Sequence, residues 1–125
     1  MKQSKIIRAY KVLESLYNQK TSLAVSHKLW TLRKLLAPQW EFQEEKEKEV
    51  FMKYDPEALP DGKLKFKNEK ESKACLDEYQ KLITELSDLD VDLGEFNKIV
   101  LHADDKLDIS MEDMDALSEF IDFVE

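Results

Sequence analysis

The chain has 125 residues, of which 42% are hydrophobic and 37% charged, and its net charge is −8 at pH 7. This length predicts a single domain, residues 1–125. An acidic chain repels phosphate backbones, so we expect no binding to nucleic acid. No apolar run approaches the roughly 18 residues of a membrane span, and the N-terminus is too polar for a signal peptide. The single cysteine, Cys75, excludes an intramolecular disulfide.

The first part of the chain has a helical pattern. Only two glycines and three prolines are present, which favours long helices over a many-stranded sheet. Apolar side chains recur at helical spacing from Ile6 to Tyr17, so we predict a helix over residues 4–19. The polar run that follows ends this helix. Thr21 or Ser22 then supplies an N-cap for the next one, because a side-chain oxygen can accept an unpaired backbone N–H.

Residues 22–54 predict one long helix. They read SLAVSHKLWTLRKLLAPQWEFQEEKEKEVFMKY, with apolar positions at alternating steps of three and four residues at both ends and a charged middle. Pro38 lies inside this stretch and removes the helical bond to the carbonyl of Lys34. We therefore expect a continuous helix that is kinked at Pro38. The alternative is two helices, the second of which starts at Pro38.

A small β tip and a return helix follow. Asp55-Pro56 ends the long helix, and residues 55–67 contain a turn signal at residues 60–62 and then apolar residues alternating with lysines, which predicts a short strand. Asn68 and Glu71 match a capping pattern for a helix over residues 69–89. Its apolar seam has the same period as that of the long helix, which predicts an antiparallel helical hairpin.

The C-terminal part has a mixed pattern. Residues 96–101 resemble a strand, and Ser110 caps a predicted helix over residues 111–123. The predicted fold class is mainly α: a long antiparallel helical hairpin with an N-terminal helix, a small β tip, and a short strand plus helix at the C-terminus.

The sequence contains no recognisable catalytic, cofactor or metal motif, so we expect a non-enzymatic protein without cofactors. The spacing of Asp88, Asp90 and Asp92 is that of the start of a calcium loop. However, Leu93 stands where such a loop needs glycine, and Ile99 stands where it needs a bidentate acid. Cys75 lies on the apolar seam of the return helix, which favours packing over a nucleophilic role.

Six residues are candidates for contact with a protein partner. Trp30 and Trp40 are separated by about three helical turns, which would place them near one face. Core packing is the default for both, and either becomes a candidate anchor if it is exposed, since tryptophan is enriched at interface hot spots. Phe120 lies on the apolar side of the predicted tail helix. The lysines of the tip form a small basic edge, although lysines on an edge strand also discourage aggregation. The candidates are Trp30, Trp40, Lys63, Lys65, Lys67 and Phe120.

The order of segments resembles a known group of proteins. The segments are TSLAVSHKLWTLRKLL, EFQEEKEKEVFMKYD, DGKLKFKNEKE, LDEYQKLITELSDLDVDL and LDISMEDMDALSEFID. Together they resemble small helical-hairpin proteins of bacteriophages and prophages of Gram-positive bacteria, although Pro38 departs from the uniformly helical pattern expected there. The resemblance implies a phage or prophage gene product that is made in the cytoplasm of the bacterial host, with the virion as an alternative location. It implies no catalytic or binding residues.

Three functional hypotheses follow. The first is a phage protein that binds another protein through a helix face, as a virion component or an assembly helper. Its partner is another protein or a second copy of the chain. The second is an acidic inhibitor that imitates nucleic acid toward a basic host protein, using the acids of residues 41–49, 77–92 and 104–115. The third is a holder chaperone, because a helical hairpin with a β tip is similar to a prefoldin subunit.

Overall fold

The N-terminal helix, α1 (Gln3–Leu16), starts where the chain is anchored to a distant segment. The computed structural model describes residues 1–125. The backbone N–H of Gln3 donates to Leu89 O at 2.9 Å, and that of Val91 donates to Met1 O at 2.8 Å. The helix ends at Leu16, three residues before the predicted end at residue 19. The reason is that the Gln19 side chain bonds both backbone groups of Asp108, which requires an extended turn here.

The second helix, α2 (Leu23–Tyr54), is continuous through Pro38. The Ser22 hydroxyl caps it by accepting the backbone N–H of Val25 at 3.3 Å. Pro38 and Lys34 are both exposed, so the carbonyl that loses its helical bond belongs to a residue on the wet side of the helix. The alternative of two separate helices is therefore wrong.

The return helix, α3 (Glu69–Ser87), packs against α2 and completes the predicted hairpin. Between them lie two short strands, β1 (Glu57–Ala58) and β2 (Leu64–Lys65), paired antiparallel with Ala58 opposite Leu64. Gly62 takes a positive φ of 85° in the turn that joins them, a conformation that glycine adopts without strain. The Asn68 side chain caps α3 by accepting the backbone N–H of Glu71 at 2.9 Å.

The C-terminal part is a small βαβ unit. Strand β3 (Ile99–His102) leads through a 3₁₀ turn (Ala103–Asp105) to α4 (Met111–Leu117), and the last strand, β4 (Ile121–Val124), pairs parallel with β3. The prediction of a helix over residues 111–123 is wrong beyond Leu117. Residues 121–124 instead alternate between core and solvent: Ile121 is buried and Asp122 is exposed. That period of two is the period of a strand.

Nearly all of the buried side chains lie in one half of the molecule. We call this half the base; it comprises residues 1–43 and 81–125. The other half, the arm, comprises residues 44–80 and so contains the end of α2, the tip and the start of α3. Of the 17 buried residues, only Cys75 belongs to the arm. The mainly helical fold class is confirmed, and the structure adds that the hairpin protrudes from a compact base. None of its helices is both long enough and apolar enough to cross a membrane.

Candidate partner-binding surfaces

An apolar groove lies where α1 ends and α2 begins. We call it the Trp30 groove, and its volume is about 200 Å³. Trp30 forms one wall and has 52% of its surface exposed. The side chains that line it are Leu13, Leu16, Tyr17, Gln19, Thr21, Ser26, Leu29, Trp30 and Arg33. A groove with an apolar floor and an exposed tryptophan is the kind of surface that accepts an apolar anchor from a partner.

The turn between the two helices is held in place by local hydrogen bonds. The hydroxyls of Thr21 and Ser26 lie 2.7 Å apart, and Ser22 caps α2. Gln19 donates from Nε2 to the carbonyl of Asp108 at 2.7 Å and accepts that residue's N–H at 2.9 Å. These bonds fix the end of the groove, so its shape exists before any partner binds.

Arg33 also lines the groove, and a network of contacts holds its side chain. Its Nε and Nη2 donate to Glu14 Oε1 at 3.1 and 2.9 Å, and its guanidinium carbon lies 4.8 Å from the centre of the Tyr17 ring. The Tyr10 hydroxyl and the Arg33 guanidinium hold the pKa of the Glu14 carboxyl below its ordinary value. Glu14 in turn raises the pKa of Arg33. The network keeps Arg33 charged and orients it along the groove.

Trp30 itself is bordered by basic side chains. The His27 ring centre lies 5.7 Å from that of Trp30, and Lys34 Nζ lies 5.6 Å from the centre of the Trp30 ring. Both of these neighbours are exposed. The exposed part of the indole therefore lies beside the positive charge of Lys34, a setting that suits a partner with carboxylates next to its apolar anchor.

Trp40 lies elsewhere and has a different environment. Its ring stacks on that of Tyr10 with centres 5.0 Å apart and planes at 20°, and it packs partly buried against the main core. The expectation that the two tryptophans share one surface is wrong. Ten residues correspond to about 2.8 helical turns, and α1 covers Trp40 while Trp30 lies beyond most of α1.

Phe120 is not available to a partner, which corrects its assignment as a contact residue. Only 1% of its surface is exposed, and its ring centre lies 5.5 Å from that of Phe96. The physical reason is the early end of α4. The Phe120 N–H bonds Leu117 O at 2.9 Å, which turns the side chain into the core instead of along a helix face.

The three tip lysines are all exposed, and none forms an ion pair within the chain. Leu64, which lies between two of them, is 44% exposed. The residues of this edge are Lys63, Leu64, Lys65 and Lys67. The tip thus presents an exposed apolar side chain with a lysine on either side of it along the chain.

A second apolar depression, which we call the C-terminal cleft, lies between the ends of β3 and β4, the loop after β3, and α4. Its volume is about 390 Å³. Seven of its ten lining residues are hydrophobic, and Asp105 and Glu125 add carboxylates. The hydrophobic lining residues are Leu101, Ala103, Leu107, Ile109, Met114, Phe123 and Val124. Sequence reasoning missed this cleft because it depends on the pairing of β3 with β4.

Charge is distributed unevenly along the chain, which the net value of −8 conceals. Residues 1–40 contain eight Lys and Arg residues and one acid, Glu14, for a net charge of +7. Residues 41–125 contain eleven basic and 26 acidic residues, for a net charge of −15. The Trp30 groove therefore lies in a basic part of an acidic protein. A count by segment would have revealed this from the sequence.

The side chains do not form a candidate metal centre. No group of three or more His, Cys, Asp or Glu residues is positioned to hold a metal ion. Burial, and to a lesser degree the nearby Glu78, raises the pKa of the Cys75 thiol, which lowers the fraction of reactive thiolate. Compared with known proteins, the chain matches no protein-family model, no curated protein and no solved structure.

Proposed function

We propose that this chain is a non-enzymatic protein-binding protein whose partner docks in the Trp30 groove. The observation that carries the proposal is the contrast between its two tryptophans. Trp40 is packed against Tyr10, whereas Trp30 leaves half of its surface exposed beside a preformed apolar groove. The exposed part of the indole is free to contact a partner, and tryptophans are enriched at interface hot spots.

The preferred partner segment carries an apolar anchor flanked by acidic residues. Arg33 lines the groove, Lys34 lies against the Trp30 ring, and Glu14 is already bound by Arg33. Like charges placed together across an interface cost several kcal/mol, so a basic segment is disfavoured. The resemblance to phage proteins supplies the proposed setting, in which the partner is a virion or assembly protein.

Co-purification with Trp30→Ala tests this proposal. Tagged wild-type chain, produced in host cells that carry the phage, should retain a specific phage protein that Trp30→Ala loses. Met52→Ala is the matched control, because Met52 is 66% exposed and lies about 33 Å beyond Trp30 along α2. Equal retention by wild type and Trp30→Ala would contradict the proposal. Mass spectrometry of purified virions then separates a virion component from an assembly helper.

The acidic-inhibitor hypothesis is less favoured by the placement of the acids. Glu47 accepts the Tyr79 hydroxyl, and Glu78 accepts Lys53. Asp115, near the far end of the third acidic segment, pairs with Arg8 in the base. Glu78 and Asp115 are thus paired with cations, and the acidic segments are spread over both the arm and the base. If the chain nevertheless inhibits a basic nuclease at stoichiometric amounts, this hypothesis replaces the first.

The holder-chaperone hypothesis has one observation in its favour. On the arm, Met52 is 66% exposed and Leu76 is 50% exposed, although both are apolar. A holder should suppress the aggregation of an unfolded client, and Met52→Ser/Leu76→Ser should weaken that activity. A chain that leaves client aggregation unchanged at molar excess excludes the holder function.

A further inference from the structure

The arm ends in a basic, partly apolar strand. Lys63, Lys65 and Lys67 project from it without ion-pair partners, and Leu64 is 44% exposed. Two acids share the tip. Glu57 stands opposite Lys65 in the β register, and Asp61 uses Oδ1 to accept the backbone N–H of Lys63 at 3.0 Å. We call residues 63–67, which contain β2, the tip strand. They contain three positive charges and no negative one.

The C-terminal cleft has the opposite character. Residues 99–125 contain nine acids and one basic residue, Lys106. The carboxylates in or next to the cleft lining are Asp104, Asp105, Asp108 and Glu125, and none of them forms an ion pair with Lys or Arg. Asp105 accepts the backbone N–H of His102 at 2.6 Å. The cleft thus combines an apolar floor with unneutralised negative charge.

These two surfaces lie at opposite ends of α2. Lys28 Nζ donates to Val100 O at 2.9 Å, which places β3 and the cleft beside the first turns of α2. The tip follows Tyr54, the last residue of the same helix. At 1.5 Å per residue, the helix separates them by about 40 Å. The tip of one chain therefore cannot reach its own cleft.

We propose that the tip strand of one copy docks in the C-terminal cleft of a second copy. Leu64 enters the apolar floor, and the lysines on either side of it face the carboxylates of the cleft. Because the two surfaces differ and lie far apart, the contact is heterologous. Each copy keeps one free tip or one free cleft, so repetition builds an open chain or a ring. This contact leaves the Trp30 groove free, so it does not depend on the proposed function.

Charge reversal at each surface tests the proposal. The tip-reversed chain carries Lys63→Glu, Lys65→Glu and Lys67→Glu, and the cleft-reversed chain carries Asp104→Lys, Asp108→Lys and Glu125→Lys. All six side chains are exposed, and circular dichroism checks that each variant folds. In sedimentation velocity at low salt, wild type should gain mass with concentration beyond the 14.7 kDa monomer, and each variant alone should stay monomeric.

Mixtures distinguish this contact from unspecific attraction. The tip-reversed chain keeps its cleft and the cleft-reversed chain keeps its tip, so an equimolar mixture should associate although neither variant does so alone. A chain with both reversals should associate again, because attraction is restored with the signs exchanged. Leu64→Ser should weaken wild-type association without any change of net charge.

A matched control reverses three exposed lysines elsewhere, as Lys11→Glu, Lys48→Glu and Lys73→Glu, which changes the net charge as much as the tip reversal does. This control should associate at least ten times more tightly than the tip-reversed chain. Three results would overturn the proposal: a wild-type chain that stays monomeric up to its solubility limit in low salt, a variant mixture that stays monomeric, or equal association of the control and the tip-reversed chain.

Discussion

The base and the arm share the helices α2 and α3, yet different interactions stabilise them. In the base, α1 and β3 pack against α2, and α4 packs against α1, so that Leu32 and Leu36 are buried in the core. In the arm, α2 and α3 have only each other. Their contact depends on one ring pair, Phe51 and Tyr79 with centres 5.3 Å apart, on the buried Cys75, and on polar bonds. We therefore expect the two ends of α2 to differ in stability, although the helix is continuous.

Polar bonds take the place of a core in the arm. The Glu78 carboxylate accepts Lys53 Nζ at 2.9 Å and the Tyr54 hydroxyl at 2.7 Å, and both donors lower its pKa. On the neighbouring turn, the Tyr79 hydroxyl donates to Glu47 at 2.9 Å. Such exposed bonds are individually weak. They therefore fix the register of the hairpin and contribute little to its free energy of unfolding.

The largest expected effect compares one aromatic residue from each half. Phe120→Ala removes a fully buried ring from the base and should lower the free energy of unfolding by about 3–5 kcal/mol. Phe51→Ala removes a half-buried ring from the arm and should cost only about 1–2 kcal/mol. Urea unfolding followed by circular dichroism measures both. Similar losses for the two variants would contradict the division into base and arm.

Pro38 lies close to the border between the halves, and its replacement sharpens the comparison. Pro38→Ala restores the missing helical bond to Lys34 at an exposed site, so we expect the free energy of unfolding to rise by about 1–3 kcal/mol. Thermal unfolding measures the change. A lower melting temperature for Pro38→Ala would mean that the proline shapes the helix in a way that the base requires.

The two capping residues, Ser22 and Asn68, allow a smaller-effect comparison of the base with the arm. Ser22→Ala and Asn68→Ala each remove one side-chain bond at a helix start, a change of about 1 kcal/mol. Ser22 caps a helix of the base, so its loss should lower global stability by that amount. Asn68 caps a helix of the arm, so its loss should mainly speed hydrogen exchange in α3. Equal global losses would show that the chain unfolds as one unit.

The smallest expected effect concerns pH. Glu14 has a folded-state pKa below its unfolded value, so the stability it contributes is present above the unfolded pKa and is lost as the pH falls through the folded pKa. Glu14→Gln should reduce the dependence of the free energy of unfolding on pH below about pH 4.3. The difference at neutral pH should stay under about 1 kcal/mol, as for other exposed ion pairs. If the free energy of unfolding of the variant depends on acidic pH as that of wild type does, the role given to Glu14 is contradicted.

Local patterns predicted the helices and the tip, because caps and apolar periodicity are encoded within a few residues. The predicted starts of α2 and α3 lie at their true caps, Ser22 and Asn68. The end of α4 was mispredicted, since Phe120, Ile121 and Val124 suit a helix face as well as a strand. The choice between them depends on pairing with β3, about 20 residues away, which no local pattern reveals.

The environments of the candidate contact residues likewise depend either on local pattern or on packing against distant parts of the chain. The tip lysines were predictable as surface features from their alternation with apolar residues, whereas the sequence favoured core packing for Trp30, which is half exposed. Phe120 and Trp40 could not be placed from sequence, because their burial depends on packing against Phe96 and Tyr10. The basic character of the Trp30 groove was missed for a different reason: the net charge averages a basic segment with a longer acidic one.

Native-state hydrogen exchange tests the division into base and arm most directly. Amides of residues 48–54 and 72–78 in the arm should exchange through local opening. Their protection factors should lie well below those of residues 6–13 and 29–36 in the base. Added urea should change the exchange of the arm little while it accelerates that of the base. Equal protection and equal urea dependence across both halves of α2 would contradict the account.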